Sequence, residues 1–558
     1  MNYLNRLVWI AAGAALMCAC SGEASTAAGG SGGSGGSDRS VRGLIVDTAQ
    51  GPVEGVEQDG VHVFRGVPYA APPEGALRWQ PPEPARERAA LLDASLPGKA
   101  CVQTLPILGV MGDEDCLVLN VATPASGEGL PVMVWIHGGG FTLGEGAQTD
   151  GGTLGDKIAR EAGVIVVTFN YRLGAFGFLS HSSLTDESSV GASGNYGLLD
   201  QTAALEWVRD NISDFGGDPD NVTIFGESAG GFSVCSHLTS PLSAGLFHKA
   251  IIQSGTCVRP WPSLAGSEAQ GDTFAEKLGC AQEDDVLACM RAKSPVEVLS
   301  AFPSGENFGF SDLDGDGASW WPVLDGHFLT GQSATLMASG DFNQVPVMLG
   351  FTRDEGQLFT WLTETDSENP TPITDENYDA YLSHFLGDDA NLVSQARAQY
   401  PPEAYAAPAQ ALGAFTTDIT FRCPSRDEAA LLAEHVTTYL YQFEYTDAAF
   451  QLDAFTPRPE YGLGAFHSAE IQYIFGRPSS ITTQDFEPGV DQDLWLSMMG
   501  YWARFAASGD PNTDEAPAWA AWTVDGDDHL VFDATVNAGT GAAAAECAFW
   551  EDKDYLFT

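Results

Sequence analysis

The sequence predicts an α/β protein in which helices cover both faces of a mostly parallel sheet. Two observations support this prediction. Short apolar runs rich in β-branched residues recur along the 558-residue chain, and segments with helix-like apolar spacing lie between them. Strands that alternate with helices pair mainly in parallel, because each crossover helix returns the chain to the same edge of the sheet. With 44% apolar and 10% aromatic residues, the chain can bury a large core.

The predicted elements follow one another in a regular order. Two apolar runs, Pro131–Ile136 and Val164–Phe169, are typical of buried strands, and Gly197–Arg209 follows with the spacing of a helix. Later in the chain we predict a strand, a helix and three further strands, in this order: Val222–Phe225, Ala229–Leu238, Ala250–Gln253, Pro346–Leu349 and Thr438–Phe443. The catalytic groups of such a sheet are expected at the carboxyl ends of its strands.

The first 20 residues are predicted to be an export signal and not part of the fold. Arg6 supplies a positive charge, and the apolar run Leu7–Met17 is shorter than the about 20 residues that span a bilayer as a helix. Ala19 precedes Cys20, which resembles the end of a bacterial lipoprotein signal. We therefore predict lipidation of Cys20 and attachment to the bacterial cell envelope. An ordinary secretory signal, which would release the protein, is the alternative.

The segment that follows the signal is predicted to be a tether. Residues 21–40 consist mostly of Gly, Ser, Ala and Thr, a composition typical of flexible linkers. No similar stretch interrupts the rest of the chain. Residues 41–558 are therefore predicted to form one catalytic domain.

The charge of the chain argues against nucleic acid as a partner. The 75 acidic and 25 basic residues give a formal net charge of −50 at pH 7. Proteins bind phosphate backbones through clustered Lys and Arg, and no such cluster occurs in this sequence. The acidic surface is expected to favour solvation or to steer cations.

Ten cysteines raise the question of disulfides or metal binding. Without Cys18 and Cys20 eight remain, and export favours disulfides among them, although spacing alone does not select the pairs. Zinc is disfavoured, because the sequence has no C-x-x-C pair and no histidines at ligand spacing beside the cysteines. Residues 312–317 resemble the start of a calcium loop, but the twelfth position is Val323 and not the required Glu. We predict no metal site.

The strongest chemical signal is the sequence Gly-Glu-Ser-Ala-Gly at residues 226–230, between a predicted strand and a predicted helix. A sharp turn of this G-x-S-x-G type lifts its serine above the sheet, and glycines two positions to either side leave the room that it needs. The backbone N–H of Ala229 then lies at a helix N-terminus, where it can face a developing oxyanion. Ser228 is therefore the candidate nucleophile.

A second motif, His-Gly-Gly-Gly-Phe at residues 137–141, directly follows the strand Pro131–Ile136. Consecutive glycines allow the backbone to approach a substrate oxygen and to point N–H groups at it. A plain turn or a phosphate-binding loop is the alternative. The phosphate loop requires a following Lys and Ser or Thr, and both are missing.

With these motifs the sequence resembles the type-B carboxylesterase and cholinesterase family of α/β-hydrolases, over Val41 to Trp550. Further matching segments are Phe64–Ala70, Pro72-Pro73, Glu114–Asn120, Asn170–Gly177, Gly197–Gln201, Asp354–Gly356, Gly464–His467 and Cys547–Trp550. The resemblance implies the α/β-hydrolase fold and an enzyme that hydrolyses small-molecule carboxylic esters without a metal or organic cofactor. Some relatives have lost activity and serve as adhesion proteins, so a silent binding protein on this scaffold is the rival interpretation.

The resemblance also assigns the catalytic residues. Ser228 is the expected nucleophile, His467 the general base, and Glu355 the acid that orients the imidazole. Asp354 is the competing carboxylate, one residue from the matching position. The backbone N–H groups of an oxyanion hole are expected from three residues, Gly139, Gly140 and Ala229. Because the nucleophile, base and acid are all present, the silent-protein interpretation is disfavoured.

Three disulfides and one ion pair are implied by the resemblance. The disulfides are Cys101–Cys116, Cys280–Cys289 and Cys423–Cys547, and the ion pair is Arg172–Asp200. Cys235 and Cys257 match no paired position of the family. We expect them to be buried thiols, with a disulfide between them as the alternative.

Overall fold

A computed structural model of the chain describes residues 43–551 and 553, except 106–108, 148–151, 303–319, 366–370, 388, 451–452, 454–455 and 480–484. The predicted signal, Cys20, the tether and the segment at residues 312–317 that resembles the start of a calcium loop lie outside the described residues. Val41–Thr558 form one compact unit. None of the helices in the described ranges is long and apolar enough to cross a membrane.

The strands are numbered in chain order. They are β1 Ile45–Thr48, β2 Gly51–Glu54, β3 Val56–Gln58, β4 Val61–Pro68, β5 Leu92–Asp93, β6 Gln103–Leu105, β7 Gly109–Met111, β8 Val118–Pro124, β9 Leu130–Ile136, β10 Ile165–Phe169, β11 Gly217–Glu227, β12 Lys249–Gln253, β13 Val347–Thr352, β14 Thr438–Phe443, β15 Asp528–Phe532 and β16 Val536–Thr540.

The α-helices are numbered in the same way. They are α1 Asp156–Ala162, α2 Gly174–Phe178, α3 Ser182–Glu187, α4 Tyr196–Asn211, α5 Ala229–Thr239, α6 Leu264–Lys277, α7 Val286–Arg291, α8 Pro295–Ala301, α9 Ser333–Ser339, α10 Glu355–Thr365, α11 Tyr378–Leu386, α12 Ala390–Gln399, α13 Pro408–Thr417, α14 Cys423–Ala433, α15 Ile471–Phe475, α16 Val490–Ser508 and α17 Ala544–Cys547.

An eleven-stranded sheet forms the centre of the domain, in the order β16-β15-β14-β13-β12-β11-β9-β10-β8-β4-β3. The seven neighbouring strands from β15 to β10 run parallel. Antiparallel strands extend this block at both ends, with β16 on one side and β8, β4 and β3 on the other. The predicted mostly parallel sheet is confirmed, while the antiparallel edges had no counterpart in the sequence analysis.

The strands and helices predicted from apolar patterns are all present, with small shifts at their ends. The predicted bounds of β14 agree with the structure, and the predicted helix Gly197–Arg209 is the longer α4. The largest difference is at β11, which begins at Gly217, five residues before the predicted run. Its first half, Gly217–Asn221, is polar and therefore carries no apolar strand signal.

Helices cover both faces of the sheet, as alternate side chains of β9 show. Val132, Val134 and Ile136 belong to one buried apolar cluster, which includes residues of α4 and α5. Met133 and Trp135 point into a second cluster, which α1 and α16 help to form. Successive side chains of a strand point to opposite faces, so the continuous apolar run of β9 reflects burial on both sides.

The buried ion pair expected from the resemblance is present. Arg172 Nε and Nη2 each donate to Asp200 at 2.7 Å, and the backbone N–H of Arg172 donates to the same carboxylate at 3.0 Å. Both side chains are buried. The pair joins the chain just after β10 to helix α4.

Four disulfides connect the described residues. Three are the expected pairs Cys101–Cys116, Cys280–Cys289 and Cys423–Cys547. The expectation of buried thiols at Cys235 and Cys257 is wrong, because these two residues form the fourth disulfide. Cys235 lies on α5, which follows β11, and Cys257 follows the neighbouring strand β12. The pairing of these strands brings the two Cα atoms to 5.0 Å, a proximity that sequence spacing does not reveal.

We expect Asp200→Ala to destabilise the fold by about 3–5 kcal/mol, because it leaves the Arg172 guanidinium buried without its counter-charge. The matched control is Asp210→Ala, which removes a carboxylate that pairs with Arg209 at an exposed position. Exposed pairs contribute little, so the control should lose much less stability. Urea unfolding followed by circular dichroism measures both. Equal losses for the two variants would contradict the importance of the buried pair.

Candidate active site

Ser228 lies in a tight turn between β11 and α5. Its backbone dihedrals are φ 55° and ψ −122°, a conformation that non-glycine residues rarely adopt. The flanking glycines are required by contacts of the backbone itself. A Cβ atom on Gly226 would lie 2.5 Å from the carbonyl oxygen of Gly230, and one on Gly230 would overlap the carbonyl oxygen of Ile136. The turn therefore packs directly on the end of β9.

The glycine-rich loop at residues 137–141 lies beside this turn, because β9 and β11 are neighbours in the sheet. A Cβ atom on Gly138 would lie 2.7 Å from the Glu227 carbonyl oxygen and 3.2 Å from the Ser228 Cβ atom. Gly139 and Gly140 have positive φ angles of 106° and 59°. Only a loop of glycines approaches the serine so closely in this conformation.

Three backbone N–H groups are available near Ser228. The hydrogen bonds of the described residues leave the N–H groups of Gly139 and Gly140 unused. Ala229 is the first residue of α5, and the first N–H groups of a helix have no partner within it. These are the residues predicted to form an oxyanion hole.

Glu355 and His467 are hydrogen-bonded to each other. His467 Nδ1 donates to Glu355 Oε2 at 2.5 Å, and the backbone N–H of Thr352 donates to Glu355 Oε1 at 2.8 Å. Both side chains are buried. Glu355 opens α10 just after β13, and His467 lies in the long connection after β14. The carboxyl ends of neighbouring parallel strands thus bring together two residues that are 112 positions apart.

The competing carboxylate, Asp354, has a different set of partners. Its Oδ2 accepts from the backbone N–H of Ala465 at 2.8 Å and from the guanidinium of Arg353 at 2.8 and 3.0 Å. Asp354 therefore holds the loop that precedes His467, whereas Glu355 contacts the imidazole.

Two phenylalanines that the sequence analysis did not single out pack on His467. The ring centroids of Phe359 and Phe421 each lie 4.9 Å from that of the imidazole. Phe359 belongs to α10, and Phe421 lies in a π-helical turn, Asp418–Arg422, between α13 and α14. Short π-helical segments are frequent at functional sites. No local pattern distinguishes these rings from core aromatics.

Buried carboxylates surround the other side of His467. Its Nε2 lies 3.1 Å from Glu227 Oε1, although the two atoms are not aligned for a hydrogen bond. Ser468 Oγ donates to the same Glu227 oxygen at 2.5 Å. Gln253 Nε2 donates to Glu470 Oε1 at 3.2 Å. Ser468 and Glu470 were missed in the sequence analysis, because polar residues beside a catalytic motif carry no signal of their own.

These charges determine the protonation of the imidazole. Burial acts to lower the pKa of His467, but the negative charges of Glu227 and Glu355 and the hydrogen bond that His467 donates to Glu355 outweigh it and raise the pKa to about 9. Burial, together with the charges of Glu227 and Glu355, raises the pKa of Glu470 to about 8. The site is therefore a buried acidic environment that favours the imidazolium form.

The arrangement has the groups that nucleophilic acyl transfer requires, although His467 Nε2 and Ser228 Oγ are not hydrogen-bonded to each other. A strained serine, an imidazole oriented by a carboxylate and unused N–H groups lie at the carboxyl edge of one parallel sheet. The Ser, Glu, His order along the chain is the order of this fold. Sheet and site together define an α/β-hydrolase.

Comparison with known proteins identifies the family. The sequence profile of the Carboxylesterase family matches residues 42–550, so the chain belongs to that family. The chain is 35% identical over 504 residues to the para-nitrobenzyl esterase of Bacillus subtilis (strain 168), covering 88% of this chain and 95% of the relative. It is 36% identical over 514 residues to the fumonisin B1 esterase of Sphingopyxis macrogoltabida, covering 89% and 88%.

Solved structures agree with the sequence comparison. A para-nitrobenzyl (PNB) esterase structure superposes with a TM-score of 0.76 at 33% identity, over 91% of this chain and 99% of that one. A thermophilic PNB esterase gives a TM-score of 0.75 at 32% identity, over 91% and 99%. The expected α/β-hydrolase fold and type-B carboxylesterase class are thereby confirmed.

We expect Glu227→Gln to shift the acidic limb of the kcat/KM profile to lower pH. A general base must be neutral, so activity rises with pH through the pKa of His467. Removing the negative charge 3.1 Å from Nε2 lowers that pKa, by about one unit or more for charges at this distance. Hydrolysis of 4-nitrophenyl butyrate over a pH range that includes the whole limb measures the shift.

The control for this shift is Glu206→Gln, which removes the same charge from an exposed position on α4. Its profile should match that of the wild-type protein. A limb that stays in place in Glu227→Gln, or that moves equally in both variants, would contradict the electrostatic role of Glu227.

Proposed function

We propose that this protein hydrolyses carboxylic esters through an acyl-enzyme formed on Ser228. His467 Nε2 takes the proton of Ser228 Oγ as that oxygen attacks the ester carbonyl, and Glu355 orients and stabilises the imidazolium. The observation that carries this proposal is the buried hydrogen bond of 2.5 Å between His467 and Glu355, at the sheet edge that holds the Ser228 turn.

The oxyanion hole is proposed to consist of the N–H groups of Gly139, Gly140 and Ala229. Negative charge develops on the carbonyl oxygen during attack, and preorganised donors stabilise it. His467 then gives its proton to the leaving alcohol, and water repeats the attack on the acyl-enzyme. These steps need only the residues of this chain, the ester and water, in agreement with the predicted absence of a cofactor.

A catalytically silent binding protein on the same scaffold is the alternative function. It is disfavoured because Ser228, Glu355 and His467 are all present, and because two relatives that the chain matches along most of its length are themselves named as esterases. A protein that only binds a partner does not require an imidazole held between buried carboxylates.

The location of the enzyme is proposed from its N-terminus. Cys20, after the apolar run and Ala19, has the setting of a lipid-accepting cysteine. A lipid at this position followed by the Gly/Ser-rich segment 21–40 would hold the catalytic domain near the membrane on a tether. Release by an ordinary secretory signal is the alternative.

We expect Ser228→Ala to abolish turnover of 4-nitrophenyl butyrate, with a loss of about 10⁴- to 10⁶-fold in kcat, because no covalent intermediate forms without the hydroxyl. The matched control is Ser236→Ala on the same helix. Ser236 Oγ donates only to the Phe232 carbonyl oxygen within α5, so its loss should leave most activity. A Ser228→Ala variant that keeps a tenth of wild-type activity with an intact circular dichroism spectrum would show that the nucleophile is misassigned.

We expect Cys20→Ser to move the protein from the membrane fraction to the soluble fraction, because serine does not accept the lipid. Cys18→Ser, two positions away in the same segment, serves as the control and should remain in the membrane fraction. Fractionation of cells that express each form, followed by an activity assay, measures the distribution. Equal distribution of both variants would leave the plain secretory signal as the explanation.

A further inference from the structure

A cluster of aromatic side chains lies beside the proposed nucleophile and oxyanion hole. Phe141 is the last residue of the glycine-rich loop, and the Phe232 N–H donates to the Ser228 carbonyl oxygen at 2.9 Å, one helical turn after the serine. Trp321 contacts both rings, with centroid distances of 5.4 Å to Phe141 and 5.2 Å to Phe232. Phe141 and Phe232 are buried, whereas Trp321 is half-buried.

A cation lies on this cluster. The guanidinium carbon of Arg259 is 4.1 Å from the centroid of the Trp321 ring, and the arginine side chain is half-buried. Arg259 lies in the segment that follows β12, and β12 pairs with β11, the strand that ends at Glu227 just before Ser228. Burial lowers the pKa of Arg259 to about 10, so the side chain keeps its positive charge at neutral pH.

The cluster lies where the acyl half of an ester would extend. His467 has to protonate the leaving alcohol, so the alcohol half lies beside the imidazole, which packs against Phe359 and Phe421. The acyl half extends from the carbonyl carbon in another direction. Phe141, Phe232 and Trp321 pack instead on the glycine-rich loop and on the helix that carries Ser228, so the acyl group extends toward their side of the serine, where Trp321 is the partly exposed ring.

A guanidinium beside apolar rings is suited to binding a carboxylate at the end of an apolar chain. Arginine binds carboxylates through two parallel hydrogen bonds, and such pairs strengthen where water is partly excluded. The ring of Trp321 holds the guanidinium plane by cation–π attraction and so orients its donors. An acyl chain that is apolar along its length and ends in a carboxylate would match both the aromatic rings and the cation.

We propose that Arg259 is a specificity-determining residue that binds a carboxylate at the far end of the acyl group, so that half-esters of dicarboxylic acids are substrates. Hydrolysis of such a half-ester by water releases the alcohol and the free dicarboxylic acid. The proposal rests on the proposed function and adds the substrate class to it. The net charge of −50 repels anions at long range, but salt at 0.15 M limits this effect to about 8 Å.

The experiment compares substrates that differ in a single charge. Monoethyl esters of succinic, glutaric and adipic acid are each paired with the ethyl ester of the corresponding monoamide, which has nearly the same shape and no charge. Proton release in a pH-stat at 0.15 M salt gives kcat/KM for each ester. In the wild-type protein we expect the acid to be preferred over its amide by about tenfold or more at one chain length, which corresponds to about 1.4 kcal/mol.

Variants then test whether Arg259 causes the preference. Arg259→Gln should reduce the acid-to-amide ratio at least fivefold, and Arg259→Lys, which keeps the charge without the planar fork, should retain part of it. Arg209→Gln is the control, because it removes the same charge from an exposed position on α4. Its ratio should equal that of the wild-type protein.

Two results would overturn the proposal. One is a wild-type ratio at or below one for all three chain lengths, which needs no variant and so decides the matter even if Arg259→Gln fails to fold. The other is a ratio that is the same in Arg259→Gln and in the wild-type protein. Hydrolysis of ethyl butyrate by the wild-type protein separates these results from a failure of the proposed function, which would leave all of the esters intact.

Discussion

The close approach of two backbone segments at the carboxyl edge of the sheet is the constraint on which the site depends. The turn at Ser228 packs on the end of β9 so tightly that a Cβ atom on Gly230 would overlap the carbonyl oxygen of Ile136. This contact brings the loop of Gly139 and Gly140 next to the serine. Because the strands are parallel neighbours, the proposed nucleophile and the proposed oxyanion donors lie on one framework of the sheet. A Cβ atom at Gly138 or Gly230 would push the loop and the turn apart.

The second organising feature is negative charge around a buried imidazole. Glu355 holds His467 from one side, and Glu227 lies 3.1 Å from the opposite nitrogen. In the proposed mechanism this setting stabilises the imidazolium that forms when His467 accepts a proton, which favours the transition state. It also raises the pKa of the resting base to about 9, which reduces the fraction of neutral imidazole at pH 7. The same carboxylates thus promote proton transfer and restrict the pH at which it begins.

Charge is distributed unevenly around the two halves of the proposed substrate. Carboxylates surround His467, where the alcohol leaves, whereas the rings of Phe141, Phe232 and Trp321 have the guanidinium of Arg259 beside them. A net charge of −50 describes the chain as a whole. It does not predict that a positive group lies beside these aromatic rings. Recognition at short range depends on which group is buried beside the ligand, since exposed charges are screened by salt.

The sequence by itself determined six of the seven parallel strands, two of the helices between them and the choice of Ser228 as candidate nucleophile, because apolar periodicity and the glycines of a tight turn are properties of neighbouring residues. Resemblance to a family was needed to choose Glu355 over Asp354, and only the tertiary structure shows that the first contacts the imidazole while the second holds the loop before it. The structure alone decided the pairing of Cys235 with Cys257 and the position of Arg259 over Trp321. These contacts join residues from different strands and helices, and their distances depend on the order of strands in the sheet, which local patterns do not encode.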